Sequence, residues 1–493
     1  MNTPLRRVSV AVMVLIVALL LNATYLQVVE ADRYRLDPRN TRVLMDEYSR
    51  QRGQISAGGL VLAQSVGTDD RYKYLRVYPT DPSGYAPVTG FYSMQYGTSG
   101  LERAEDQVLN GSDSRLFGRR FFDLFSGRDP RGGNIVTSIN PAMQQVAYRE
   151  MTRKGYSGAV VAIEPKTGRI LTLVTTPSYN PNQLSSHDGA QGAQAWDALN
   201  SDSAHPMLDR AISQTYPPGS TFKVVVTAAA LAKGITAPDA QVTADSSITL
   251  PNTSTQLDNY GRQRCGPGPT VSLREAFARS CNTSFAELGI RTGSSALKDQ
   301  ASAFGIGSHE DIPLPVADST VGSIPDDAAL GQSSIGQRDV ALTPLDNAVI
   351  AATIANGGVR MEPHLVDELQ GPDLSVLSRT KAVSQGQAVS PQVAATLTEL
   401  MMASESGDPG GNSIPGVQIA SKTGTAEHSD SQHNSAAPHT WYIAFAPAQD
   451  PKIAIAVVVE DGGGQGQSAV GSTVAAPVAR AVMTAGLRGG GER

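Results

Sequence analysis

The chain has 493 residues, enough for two or three domains with a large hydrophobic core. It carries 40 basic and 46 acidic side chains, a formal net charge of −6, which argues against a nucleic-acid-binding protein. Its 48 glycines and 30 prolines stay below the share that is typical of disordered chains, so the composition indicates a folded protein.

Residues 1–29 predict a cytoplasmic tip and a membrane anchor. Arg6 and Arg7 precede an almost unbroken apolar run over residues 8–21. With the residues that follow, the run reaches roughly 20 residues, enough to cross the hydrocarbon layer of a cell membrane in a single pass. The basic flank places the N-terminus in the cytoplasm and the bulk of the chain outside it. A cleaved signal peptide, with Ala23 as a conceivable cleavage residue, is the alternative.

Residues 30–150 predict an elongated N-terminal pedestal. Short strand-like runs, such as residues 72–77, alternate there with turns rich in Gly, Pro and Asp. The stretch 126–133, with three glycines and a proline, is a predicted boundary near the end of this region. There is too little chain here to hold a glycosyltransferase module, so we expect a support and not a second enzyme.

Residues 151–490 predict a domain with an α/β pattern of the α+β type. The helices predicted here and just before it cover residues 141–153, 224–233, 344–355 and 474–487. The predicted strands cover residues 158–163, 169–175, 440–446 and 452–460. Short turns join neighbouring strands, so we expect an antiparallel sheet flanked by helices.

Three short motifs occur in one particular order. They are Ser220-Thr221-Phe222-Lys223, then Ser280-Cys281-Asn282, then Lys422-Thr423-Gly424-Thr425. Each pattern alone is common: S-x-x-K recurs at Ser295 and Ser378, and K-T-G recurs at Lys166. Neither of those serines is followed by S-x-N, and Lys166 precedes every S-x-x-K. Only the set that begins at Ser220 therefore reads in order, and Lys166 is interpreted as a turn residue.

Ser220 is the candidate nucleophile. The turn Pro217-Pro218-Gly219 leads into the apolar helix predicted over residues 224–233, so Ser220 lies near a helix N-terminus, where backbone N–H groups stabilise negative charge. Lys223 follows one helical turn later, so its amine can reach the hydroxyl. A lysine accepts that proton only if burial or a neighbouring cation lowers its pKa, and Lys422 is the expected cation.

The two cysteines, Cys265 and Cys281, suit an oxidising compartment. They lie 16 residues apart near the S-x-N motif, so we expect a disulfide, with two free thiols as the alternative.

The histidines after the third motif invite a metal hypothesis. They are His428, His433 and His439, and their neighbours form a polar loop. No zinc-like Cys/His or H-E-x-x-H spacing appears, so the sequence predicts no metal and no cofactor.

The ordered motifs resemble the signature of penicillin-binding proteins and serine β-lactamases. Arg52-Gly53-Gln54-Ile55 and residues 96–102 are similar to N-terminal motifs of class B, the transpeptidase-only branch of the penicillin-binding proteins. Segments similar to its catalytic domain cover residues 158–168, 331–336 and 441–447. One departure is Ser56-Ala57-Gly58-Gly59, where the family has a charged turn.

The resemblance implies a peptidoglycan D,D-transpeptidase with the penicillin-binding fold on a dimerisation-like pedestal. Ser220 would attack the carbonyl between two terminal D-alanines of a stem peptide, and β-lactams would acylate the same hydroxyl. Ser280 would relay a proton to the leaving amine, and Asn282 would position Lys223. The carboxylate of the donor peptide would be held by Lys422, Thr423 and Thr425. Gly424 would let the peptide approach, and the N–H groups of Ser220 and Thr425 would form the oxyanion hole.

Two alternatives remain open from the motifs. A D,D-carboxypeptidase would use water as the acceptor, and a scaffold or sensor would be acylated by penicillin without turnover. A β-lactamase would need a deacylating glutamate, which we cannot place in the sequence. By the same resemblance, the expected partners are a membrane glycosyltransferase of the shape, elongation, division and sporulation (SEDS) type and proteins of cell division or elongation.

Overall fold

The computed structural model describes residues 3–30, 48–116, 131–309, 312–408, 411, 414–428 and 436–489. Its helices are α1 (Thr3–Thr24), α2 (Pro82–Thr89), α3 (Gly100–Ala104), α4 (Asp106–Leu109), α5 (Pro141–Arg153), α6 (Gly189–Ser201), α7 (Lys223–Ala232), α8 (Leu273–Ala278), α9 (Asn282–Thr292), α10 (Ser294–Ala303), α11 (Asp327–Ser333), α12 (Pro344–Ala355), α13 (Pro391–Ser406) and α14 (Ala475–Gly489). His433 and most of the boundary predicted at 126–133 lie outside the described residues.

The strands are β1 (Ile55–Ala57), β2 (Leu60–Gly67), β3 (Tyr74–Val77), β4 (Tyr92–Ser93), β5 (Gly97–Thr98), β6 (Asn134–Thr137), β7 (Gly158–Ile163), β8 (Ile170–Thr176), β9 (Gln241–Thr243), β10 (Ser247–Thr249), β11 (Gln256–Asp258), β12 (Thr270–Ser272), β13 (Val359–Met361), β14 (Val366–Gln370), β15 (Val376–Arg379), β16 (Ser384–Gln387), β17 (Ala420–Ala426), β18 (His439–Ala446) and β19 (Ile453–Val459).

A five-stranded antiparallel sheet forms the centre of the larger domain, in the order β17, β18, β19, β7, β8. The predicted antiparallel sheet is thereby confirmed. Within the described residues β17 pairs only with β18, and the register places Lys422 opposite Ile443 and Gly424 opposite Trp441. The third motif therefore lies on an edge strand, with one side open to an extended peptide.

Helices cover both faces of this sheet, because successive side chains along each strand point alternately into two hydrophobic cores. Ala159, Val161 and Ile163 of β7 pack into the core that includes α12. Val160 and Ala162 point the other way, into a core with residues of α5 and α14. Burial on both faces explains the continuous apolar runs of β7, β8 and β19.

Two helices begin where the sequence predicts because their caps are local. The Asn140 side chain accepts hydrogen bonds from the first backbone N–H groups of α5, and Pro141 occupies the first helical position. Thr343 and Pro344 play the same parts at the start of α12. The predicted ranges 141–153 and 344–355 are those of the structure.

A second sheet, of six strands, lies in the N-terminal region in the order β15, β14, β6, β1, β2, β3. β1 pairs parallel with β6, and the other pairs are antiparallel. β1 and β2 are joined by Gly58 and Gly59, both with positive φ (+52° and +84°), as a tight two-residue hairpin turn requires. The strands β14 and β15 come from far beyond residue 150, so one stretch of later chain completes the sheet of the predicted pedestal.

Two N-terminal motifs meet in a buried ion cluster. Arg52 Nε donates to Glu102 Oε2 at 2.7 Å, and Arg76 Nε donates to Glu102 Oε1 at 2.6 Å. Asp106 accepts from Arg52 at 2.5 Å. Burial alone would raise the pKa of Glu102, but Arg76 and Arg52 outweigh it and lower the pKa. The carboxylate therefore stays ionised and holds the two motifs together.

The N-terminal helix is separate from both cores. The segment Thr3–Val28 contains an 18-residue window with a mean hydropathy of 2.3, and none of that window is buried. Among the described residues it is the one helix long and apolar enough to cross a membrane, as expected for single-pass anchoring.

Candidate active site

The first motif forms a turn that leads into a buried helix. Gly219–Phe222 is a 3₁₀ turn that contains Ser220, and α7 follows directly at Lys223. The indole N–H of Trp441, on β18, donates to the Pro217 carbonyl oxygen at 2.9 Å and so fixes the turn against the sheet. Ser220 therefore lies at a helix N-terminus, as its sequence context predicts.

The Lys223 amine is fully buried and contacts the second motif. Its Nζ donates to the Ser280 carbonyl oxygen and to Asn282 Oδ1, both at 2.7 Å, and lies 3.3 Å from Ser280 Oγ. Within the described part of the chain no hydrogen bond joins it to Ser220. Burial, and next the charge of Lys422, lower the pKa of Lys223 well below its ordinary value. This environment favours the neutral amine that a general base requires.

The Lys422 amine approaches the same serine from the edge strand. Its Nζ donates to Ser280 Oγ at 2.8 Å and to the Thr423 carbonyl oxygen at 3.1 Å. Burial lowers the pKa of Lys422 to about 8, against the opposing effect of the Asp408 carboxylate. Both lysine amines thus contact the Ser280 hydroxyl. A positive charge on one lysine disfavours protonation of the other.

Ser280 is held in a rare backbone conformation. Its φ of +60° lies in the left-handed region, and it stands between the end of α8 and the start of α9. Such a residue costs of order 1–3 kcal/mol and persists where the surroundings impose it. In this conformation the Ser280 carbonyl oxygen accepts a hydrogen bond from Lys223, and the Ser280 hydroxyl contacts the amines of both Lys223 and Lys422.

The three motifs meet at one cleft of about 980 Å³. The predicted residues that line it are Ser220, Ser280, Asn282, Thr423, Gly424 and Thr425. Lys223 and Lys422 are fully buried side chains that reach the cleft through their contacts with Ser280. The structure therefore brings together all eight residues predicted from the motifs.

Gly424 is required for packing inside the protein. A Cβ atom there would lie 2.9 Å from the Pro218 carbonyl oxygen and 3.0 Å from the Trp441 Cβ. The edge strand therefore approaches the nucleophile turn closely only because this position lacks a side chain. This need adds to the peptide approach expected from the sequence.

Sequence reasoning missed a buried charge network behind β17. Glu405 accepts hydrogen bonds from Ser421 Oγ at 2.5 Å, from Tyr442 Oη at 2.7 Å and from Arg480 Nε at 3.0 Å. Arg480 also contacts Asp408 at 3.3 Å, and Asp408 lines the cleft. Glu405 and Arg480 are 75 positions apart, so no local pattern could have shown their pairing.

Cys265 and Cys281 form a disulfide, with Cα atoms 6.0 Å apart. Cys281 is the N-cap residue of α9 and stands between Ser280 and Asn282. The bond therefore ties the loop that follows β11 to the second motif.

We expect a Cys265→Ala/Cys281→Ala double variant to lose about 3 kcal/mol of the free energy of unfolding, as the chain-entropy model gives for a loop of this size. Alanine leaves no unpaired polar group at these buried positions. Urea unfolding of the two proteins, each with and without dithiothreitol, measures the difference. Reductant should lower the wild-type midpoint only, and a wild-type midpoint that ignores reductant would contradict the prediction.

The fold and this arrangement define a class of protein, the penicillin-recognising enzymes with an active-site serine. The profile of the penicillin binding protein transpeptidase domain matches residues 158–484, and that of the penicillin binding protein A dimerisation domain matches residues 52–135. The chain therefore belongs to the penicillin-binding protein transpeptidase family. The class B resemblance predicted from the motifs is confirmed.

The chain is similar to mycobacterial proteins over nearly its whole length. The chain is 61% identical to peptidoglycan D,D-transpeptidase PbpA of Mycobacterium tuberculosis (strain H37Rv) over 99% of this chain and 100% of the relative. It is also 61% identical to the PbpA of Mycolicibacterium smegmatis over the same shares. The solved structure of penicillin-binding protein A from M. tuberculosis as a ceftriaxone acyl-enzyme complex superposes with a TM-score of 0.87 at 60% identity, over 90% of this chain and 99% of that one.

Proposed function

We propose that this protein is a serine-type peptidoglycan D,D-transpeptidase and a target of β-lactam antibiotics. The observation that carries the proposal is the Ser280 hydroxyl, which lies between two buried lysine amines in the same cleft as Ser220. Two amines at one relay hydroxyl suit a reaction that takes a proton from a nucleophile and delivers it to a leaving amine.

The first step forms an acyl-enzyme on Ser220. Neutral Lys223 accepts the hydroxyl proton while Ser220 Oγ bonds to the carbonyl carbon between the two D-alanines of a stem peptide. The C–N bond then breaks, and Ser280 passes its proton to the departing D-alanine while it takes up the proton that Lys223 accepted. In the second step an amine of a neighbouring stem peptide attacks the ester and restores the Ser220 hydroxyl.

Residues of the edge strand β17 stabilise the negative charges in this reaction. Lys422, with the hydroxyls of Thr423 and Thr425, binds the terminal carboxylate of the donor peptide or the equivalent acid of a β-lactam. The backbone N–H groups of Ser220 and Thr425 stabilise the oxyanion, and loss of one such donor typically costs about 10²–10³ in rate. Asn282 holds Lys223 in place through its Oδ1.

The cellular setting is part of the same proposal. Arg6 and Arg7, which precede the apolar run of the N-terminal helix, support an N-terminus in the cytoplasm and a catalytic domain outside it. The proposed domains cover residues 1–29, 30–150 and 151–490. The partners that follow from the family are peptidoglycan stem peptides, a SEDS-type glycosyltransferase and proteins of the division or elongation machinery.

Labelling with fluorescent penicillin tests the nucleophile. We expect wild type and Ser295→Ala to be labelled, because Ser295 belongs to an S-x-x-K match outside the cleft, and Ser220→Ala to stay unlabelled. Incubation with lipid-linked peptidoglycan then tests the acceptor. Cross-linked dimer supports the transpeptidase, hydrolysed tetrapeptide alone supports the carboxypeptidase, and acylation without either product supports the sensor.

Acylation should also fall at alkaline pH. Because burial lowers the pKa of Lys422 to about 8 from an ordinary value of 10.5, its ammonium loses the proton above pH 8 and releases the carboxylate. Second-order acylation rates between pH 6 and 10 should therefore decline with a midpoint near pH 8. Asp408→Asn removes a charge that raises this pKa, so its midpoint should lie lower. A wild-type rate that stays constant to pH 10 would contradict the assignment.

A further inference from the structure

Three side chains that ligate metals converge at the rim of the cleft, outside the three motifs. His428 follows β17, His439 begins β18, and Asp461 follows β19. One ligand atom from each lies within 4.8 Å of the other two. No metal was predicted from the sequence, because only the histidines after the third motif were considered as ligands. Asp461 comes 22 residues after His439, and only the folding of β18 onto β19 brings the two together.

The separations between the ligand atoms are close to those of a metal site, so small movements would let all three atoms coordinate one ion. His428 Nε2 lies 3.0 Å from Asp461 Oδ1, and His439 Nδ1 lies 3.8 Å from the same oxygen. Zn²⁺ binds nitrogen and oxygen ligands at about 2.0–2.2 Å, so neighbouring ligand atoms in a tetrahedral site are roughly 3.3 Å apart. The two measured separations lie on either side of that value.

The hydrogen bonding of His439 suits a ligand. A ligating imidazole nitrogen must carry a lone pair. The Asp461 backbone N–H donates to His439 Nδ1 at 3.2 Å, which directs that lone pair towards the Asp461 segment. A cation at this position replaces this hydrogen bond and the 3.0 Å contact between His428 Nε2 and Asp461 Oδ1.

The His428 ring can rotate so that both imidazoles coordinate one ion. The imidazoles of His428 and His439 stack, with centroids 3.8 Å apart and planes at 15°, so their in-plane lone pairs run nearly parallel. One ring must turn for both to coordinate. His428 is suited to turn, because its side chain is 21% exposed and, in the described part of the chain, its buried Nδ1 has no hydrogen-bond partner. Asp461, with 67% of its side chain exposed, gives an ion access from solvent.

We propose that His428, His439 and Asp461 form a binding site for Zn²⁺ or a similar divalent transition metal, with water as the remaining ligand. Two imidazoles and one carboxylate are a donor set that zinc takes in sites with an open position. The ion joins three segments at the rim, where Glu427 and Pro438 line the cleft, and so stiffens one wall of it. This site does not depend on the proposed function.

The test uses the full-length protein in detergent after treatment with a chelator. Titration with Zn²⁺ by calorimetry, and with Co²⁺ by visible absorption, should show one ion per chain at this site and a higher melting temperature with metal. His428→Gln, His439→Asn and Asp461→Asn keep hydrogen-bonding atoms near the native positions. Each should weaken binding by at least the roughly 10–100-fold that is typical of residues that only support a metal ligand.

His309→Gln is the matched control. His309 lies 3.7 Å from Asp318, an exposed pair to which no third ligand belongs among the described residues. It should bind the ion as wild type does. The proposal is overturned if wild type binds no ion with one-to-one stoichiometry, if the three variants bind like wild type, or if His309→Gln weakens binding equally. Melting curves recorded without metal identify a variant that fails to fold, and the other two variants then decide.

Discussion

Lys223→Gln should lower the acylation rate with fluorescent penicillin by roughly 10²–10⁴-fold, the range that a general base contributes. Burial, and next the charge of Lys422, lower the pKa of Lys223 well below its ordinary value. Glutamine is one atom shorter and keeps an N–H donor, but its amide does not accept a proton near neutral pH. The second-order rate constant at matched pH is the measurement.

The chain supplies a matched control in its other K-T-G sequence. Lys166 is an exposed turn residue whose Nζ pairs with Asp450 at 2.9 Å, so Lys166→Gln should acylate at the wild-type rate. Melting temperatures of both variants must stay close to that of wild type for the comparison to count. If Lys223→Gln acylates within tenfold of wild type, another group takes the Ser220 proton.

The contacts of Lys223 explain how it can be a base while bonded to other groups. Two acceptors lie at 2.7 Å from its Nζ, the Ser280 carbonyl oxygen and Asn282 Oδ1. A neutral amine has two N–H groups for these acceptors and one lone pair left over. That lone pair is available for the proton of Ser220, since hydrogen bonds in a ligand-free site often tighten only when substrate binds.

The sequence predicted the fold best where the determinants are local. The helices α5 and α12 carry their own caps and leading prolines, and their ranges are those predicted. The hairpin β7–β8 follows from two apolar runs around a turn. The addition of β14 and β15 to the N-terminal sheet could not be predicted. Both strands are short and partly exposed, and β14 pairs with β6, which lies more than 200 residues earlier.

The active site shows the same contrast between residues with a local sequence pattern and residues without one. The order of the motifs identified the eight residues that meet around the cleft, because each motif is a local pattern with a chemical reason. The groups that tune those residues have no such pattern. Asp408 raises the pKa of Lys422, and Glu405 accepts hydrogen bonds behind the edge strand, yet both lie in an ordinary amphipathic stretch around the end of α13.

The pedestal motifs lead to the second large effect. Glu102→Gln should lower the free energy of unfolding by about 3–5 kcal/mol, the cost of breaking a buried ion pair from one side. Glu102 has no exposed surface and binds both Arg52 and Arg76. Glutamine has the same shape but no charge, so two buried guanidinium groups lose the carboxylate that compensates them, and Asp106 remains for Arg52 alone.

Urea unfolding with fluorescence detection measures the loss, and Glu150→Gln is its control. Glu150 pairs at 2.7 Å with Arg153 of the same helix, whose side chain is 66% exposed, and such pairs within a helix contribute about 0.3–0.5 kcal/mol. The double replacement Glu102→Gln/Arg76→Met should recover part of the loss, because it removes one of the two uncompensated charges with little change in volume. A Glu102→Gln variant as stable as Glu150→Gln would mean that the cluster is solvated in solution. In that case the buried pairing would not be what joins the two N-terminal motifs.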